Sequence, residues 1–328
     1  MTLATPVRLP AARGELSAAV CNALSGSTGA LPVTEAARAD PHGEDLTLAL
    51  HLLYELHYQG FPGADDLEWD LGLLGLRAAM EQRFLDAVRT ETGHGTDIGA
   101  VLDELLIEYV PGDGVSHYLR DHGHWDQMCE YFVHRSIYHL KEADPHAWVI
   151  PRLRGRSKAA LVAVEFDEFG GGHPERMHAK LYANLLDEAG LRSDYLHYLD
   201  IVPAPAIALV NLMSLFGLHR SLRGALVGNL TAAEITTAPS ARRMVTALKR
   251  MGAGAACQHF YAEHIEADSV HEQVMRIDVV GGLLEDEPEL VGDVVFGVQA
   301  TEMLEARLTT HLLTNWRNGQ SSLREPLT

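Results

Sequence analysis

Cysteine is scarce. The chain has three in 328 residues, at positions 21, 129 and 257. They are far apart, odd in number and never spaced C-x-x-C. That excludes a disulfide framework and points to a reducing, cytoplasmic setting. Basic residues are also few: 26 Lys and Arg stand against 45 Asp and Glu, a formal charge of −19. So acidic a chain lacks the basic face that phosphate contact requires, which excludes nucleic acid as a partner and disfavours an anionic membrane surface. The first residues form no continuous apolar stretch, so no secretory leader is expected, and the sequon at Asn229-Leu230-Thr231 is read as chance. No P-loop, H-E-x-x-H or G-x-S-x-G occurs. Gly252-Ala253-Gly254 has neither a third glycine nor a preceding strand, so it is no dinucleotide fingerprint. One uncharged run, 201–218, approaches the length of a membrane span. Pro203, Pro205, Asn211 and Gly217 within it favour a helix buried in the middle of a bundle.

What is present is helical. Periodic apolar spacing predicts helices over 46–61, 70–91, 97–109, 125–142, 157–168, 174–189, 201–218, 219–236, 240–251, 254–276 and 287–316. Strand alternation of useful length is missing, so the fold class is all-α with short connections. Residues 1–44 read as a flexible arm with at most one short helix, 45–124 as a helical extension packed on the core, and 125–320 as the main bundle. Pro174, after Gly170-Gly171-Gly172, suits the first position of a helix, and Gly190 suits its C-terminal stop.

Histidine is the surplus: there are 18. In the segment 260–273, His264, Asp268 and His271 fall at i, i+4 and i+7 and share one helix face. Two imidazoles and a carboxylate on one stripe among Phe260 and Ile265 are poor core material without a shared partner. Glu175 and His178, at i and i+3, form the ligand unit of ferritin-like carboxylate sites. Glu234 is a lone acid in an apolar helix. Glu175, His178, Glu234, His264, Asp268 and His271 together make a nitrogen/oxygen ligand set without thiolate, suited to iron or manganese. Glu142 and His146, beside Asp144-Pro145, read as a helix end and a turn.

The segments 167–183, 211–234 and 260–273 resemble the iron-containing redox enzymes of the haem-oxygenase-like diiron oxidase/oxygenase superfamily, and the resemblance spans about residues 125–315. It implies a haem-oxygenase-like seven-helix bundle, here with an additional N-terminal helical region. It also implies two ferrous ions per chain, the second held loosely in some members, with O2 as co-substrate. The six residues above would be the ligands, with Glu165, Asp167 and Glu168 as substitutes for Glu175. The implied function is oxidation of a small metabolite, amino-acid-like or fatty-acid-like, by N-oxygenation or C–C cleavage through a peroxo-diferric intermediate, in a biosynthetic pathway. Arg220 and Arg223 are candidates to clamp a substrate carboxylate. A small-molecule substrate is expected, and a homodimer is compatible. Two alternatives stay open: a thiaminase-like or quinone-cofactor-forming enzyme on the same bundle, and a non-enzymatic helical metal-binding protein.

Overall fold

The computed structural model describes residues 7–27, 29–93 and 95–327, without the side chains of 266–269. Among these residues there is no strand. The helices run α1 Glu15–Leu24, α2 Val33–Ala36, α3 Glu44–Glu55, α4 Leu71–Glu91, α5 Ile98–Leu105, α6 Val115–Asp121, α7 Trp125–His139 and α8 Asp144–Ala147. They continue as α9 Gly155–Glu168, α10 His178–Glu188, α11 Ala204–Leu218, α12 Arg223–Met251, α13 Ala255–Gln273, α14 Gly281–Asp286 and α15 Val291–Arg317. Local chemistry sets several starts. Asp70 and Asp97 cap α4 and α5 by accepting from the N–H groups of Leu73 (2.9 Å) and Ala100 (3.0 Å).

Residues 7–44 are folded onto the rest and do not form a free arm. Asp45, at the start of α3, accepts from the N–H groups of Leu16 (2.9 Å) and Ser17 (2.8 Å), satisfying donors at the start of α1. Leu16, Val20 and Leu24 enter the main apolar core with residues from most of the later helices, as far as Trp316 and Leu323. The sparse periodicity of 1–44 concealed this, because the cap that fixes α1 comes from another helix.

The uncharged helix α11 is buried at the centre, as its composition predicts. Its two polar residues there are matched: Asn211 donates to the Thr47 carbonyl (2.8 Å) and Ser214 accepts from the Tyr58 hydroxyl (3.0 Å). Among the described residues no helix is long and apolar enough to cross a membrane.

Helix α12 is longer than expected. The sequence predicts a break before Pro239, but the helix runs through it. Proline forfeits one backbone bond there, and burial of Ile235, Ala238, Ala241 and Met244 on either side holds the axis. It stops at Gly252, whose φ of +73° opens a left-handed C-terminal cap. Helices α12 and α15 touch backbone to backbone. A Cβ at Gly228 would lie 2.1 Å from the Val294 carbonyl oxygen, and one at Gly297 would lie 2.0 Å from that of Ala225. After α13 the helix widens into a π-helical stretch, Val274–Val280, before α14. Such widening recurs beside functional sites.

Candidate metal centre

Two buried groups of side chains lie between α7, α9, α10, α12 and α13. Glu142, His178 and His264 form one. Glu168, Glu234 and His271 form the other. Within each group one potential ligand atom from every residue lies within 4.8 Å of the others. In the first, His264 Nε2 is 3.6 Å from Glu142 Oε1, and the rings of His178 and His264 are 4.4 Å apart between centroids. In the second, His271 Nδ1 is 3.2 Å from Glu234 Oε2 and 3.6 Å from Glu168 Oε1. Glu168 joins them, because its other oxygen, Oε2, lies 2.6 Å from His178 Nδ1.

The loop after α9 explains how Glu168 and His178 meet. Gly170, Gly171 and Gly172 have φ of +80°, +62° and +84°, and a Cβ at Gly170 would lie 2.6 Å from the Met177 nitrogen. This turn folds the chain back so that Glu168, ending α9, faces His178, beginning α10. The expected continuous helix from Pro174 does not form. Pro174–Arg176 is a single 3₁₀ turn, and Met177 is extended with ψ of 133°. Glu175 and His178 therefore share no helix face. Glu175 is 69% exposed in its side chain and lies 3.6 Å from His173, outside both groups. Glu168, among its expected substitutes, belongs to the second group. Asp167 reaches His271 Nε2 at 3.3 Å from an exposed position.

Of the other expected residues, His178 and His264 fall in the first group and Glu234 and His271 in the second. The Asp268 side chain lies outside the described residues. Glu142 was not recognised. It does follow a helix end, as the sequence suggests, but it is buried, and its partners are remote in the chain. The nearest signal is His139 three residues before it, whose Nδ1 lies 2.8 Å from Glu142 Oε1. Arg220 is exposed, and Arg223 is held by Glu287 in an ion pair. Neither lines the cavity beside the centre; the arginines that do are Arg135 and Arg243.

That cavity, about 410 Å³, is lined at one end by Glu142, His264, Glu168 and Glu234. Its electrostatics are those of crowded carboxylates. Burial, then the charges of Glu168 and Glu234, push the Glu165 carboxyl up to about 9. Burial alone would lower His271, but the carboxylates of Glu234, Asp167 and Glu168 outweigh it and raise the imidazole to about 9. A divalent cation relieves such crowding, and the groups fit one. The donors are nitrogen and oxygen only, the set that suits iron. Glu142 Oε2 is buried without a hydrogen-bond partner among the described residues. His178 Nδ1 has no hydrogen bond despite its close approach to Glu168, so two ligand atoms meet where no proton is aligned between them.

The family model of iron-containing redox enzymes matches residues 129–306. The chain belongs to this family. The match covers both side-chain groups and the helices that carry them. No curated protein matches the chain. The protein is thus an all-α oxidoreductase whose buried His/Glu groups are compatible with iron. Further polar contacts orient the imidazoles of this redox enzyme. His264 Nδ1 lies 2.8 Å from the Phe260 carbonyl, so it is the N–H that donates, leaving Nε2 facing Glu142.

Proposed function

We propose that this redox enzyme is a non-haem diiron oxygenase or oxidase. It consumes O2 to oxidise a small metabolite, by N-oxygenation or oxidative C–C cleavage of an amino-acid-like or fatty-acid-like substrate, within a biosynthetic pathway. The observation that supports this most is the reach of Glu168 to both histidine groups, 2.6 Å to His178 and 3.6 Å to His271. A carboxylate so placed suits two neighbouring cations better than one.

In this reading Glu142, His178 and His264 would hold one iron. Glu234 and His271 would hold the second, with Glu168 between them. Asp268, one helical turn from each of its histidines, is a further expected ligand. Bound iron supplies the electrons and the open coordination positions for O2. The chain supplies orientation. The Phe260 carbonyl fixes the tautomer of His264. Asp167 accepts from the Nε2–H of His271, leaving Nδ1 toward Glu234 and Glu168. Met213, Leu230, Phe260 and Leu308 supply the apolar part of the cavity lining.

The test is an O2 pulse delivered to ferrous-loaded protein. Wild type is expected to take up O2 in proportion to its iron, with a transient visible absorbance, and His264→Ala and Glu142→Gln to lose both. Absence of uptake in wild type, or unchanged uptake in both variants, contradicts the reading.

A further inference from the structure

The cavity contains one carboxylate that the metal groups do not use. Glu165 lies one turn before Glu168 on α9, is 3% exposed and lines the cavity. It belongs to neither ligand group, and neither of its oxygens has a hydrogen-bond partner among the described residues. A buried acid left in this way is costly to the fold unless a ligand completes it.

No cation lining the cavity is free to serve. Arg135 is bound to Glu305 by two hydrogen bonds of 2.7 Å. Arg243 is held by Glu108 and by the Ser116 hydroxyl, at 2.5 and 2.9 Å. Glu302, which also lines the cavity beside Glu305, has no ion pair among the described residues. The four proposed acidic ligands, Glu142, Glu168, Glu234 and Asp268, are together neutralised by two divalent ions. Glu165 and Glu302 then remain in the cavity as two carboxyls with no cation beside them; burial and the neighbouring acids favour the neutral acid at Glu165, and a bound cation restores its charge.

Resting on the diiron reading, we infer that the substrate carries a protonated nitrogen, an ammonium or guanidinium group, and that Glu165 binds that group beside the metal pair. This selects the amino-acid-like branch of the proposed substrates over the fatty-acid-like one. Glu165 discriminates by chemistry: a cation completes its two bare oxygens, whereas a neutral isostere of the same size leaves a buried acid unpaired. Glu302 adds a weaker preference of the same sign along the path.

The experiment is calorimetric binding of paired probes to the full chain, both metal-free and ferrous-loaded under nitrogen so that no turnover occurs. Butylguanidinium is paired with butylurea, and pentylammonium with pentanol, so that only one member of each pair carries a protonated nitrogen. Wild type is expected to bind at least one cationic member tenfold or more tightly than its neutral partner. Glu165→Gln is expected to lose that preference while keeping the wild-type iron content and melting temperature. Equal binding within both pairs, or a preference that survives in Glu165→Gln, overturns the inference. So does loss of iron from Glu165→Gln, which would make Glu165 a ligand. A wild type that binds no iron would defeat the diiron reading instead, while the metal-free arm would still decide the role of Glu165.

Discussion

Glu168 Oε2 lies 2.6 Å from His178 Nδ1, across a glycine turn and an extended Met177 that reverse the chain between α9 and α10. That contact links the two groups of side chains. It also predicts which acids matter. Glu142→Ala should remove about half of the bound iron, since it strips one group of its acid. Glu175→Ala, at an exposed carboxylate, should leave iron content and activity unchanged. Metal analysis after ferrous loading checks both.

The turn itself is testable. A Cβ at Gly170 meets the Met177 backbone at 2.6 Å, and its φ is in the left-handed region. Gly170→Ala should therefore destabilise the protein by about 1–3 kcal/mol and weaken iron binding, because His178 follows directly. Gly172→Ala, with φ of +84° but open space around it, should give the smaller iron defect of the two. Thermal melts and iron titrations distinguish them.

Much of this was legible in the sequence and some was not. The common face of His264 and His271 could be read because helical periodicity is local. The burial of α11 could be read because it lacks charge. Glu175 was read wrongly because the i, i+3 rule assumes an unbroken helix, and Met177 breaks it. Glu142 was invisible because its partners at 178 and 264 are brought to it by tertiary packing alone. The same holds for the arm at 7–44, whose first helix is capped by Asp45 from α3.

Lys141 and Glu55 form an ion pair with both side chains fully buried, and Tyr195 donates to the other Glu55 oxygen at 2.5 Å. Lys141→Met should destabilise by about 3–5 kcal/mol, since it leaves a buried acid without its cation. Adding Glu55→Leu should restore part of that loss, because no buried charge is then left, while the Tyr195 hydroxyl loses its acceptor. Denaturant melts of the two single variants and the double variant give the coupling.

Acid should destabilise the metal-free protein in a defined window. Burial lowers His51 from 6.5 to about 4, and lowers His134 well below its usual value. Both stay neutral in the fold while the unfolded chain binds protons below about 6.5, so stability rises with pH across this window. Unfolding free energy should therefore fall from pH 6.5 toward pH 4, by roughly 1–3 kcal/mol for His51, whose own contribution levels off below that while that of His134 continues. His51→Gln should flatten the slope. Urea melts at pH 7.5, 6 and 4.5 measure it, and a slope unchanged in the variant would contradict the assignment.

In the proposed diiron site, six or more side chains from 142 to 271 grip a pair of irons with Glu168 between them. The most direct measurement is anaerobic ferrous titration of wild type and Glu168→Ala, with iron counted per chain after removal of excess. The account predicts two irons in wild type and one or fewer in the variant. A single iron in wild type, or two in the variant, would contradict it.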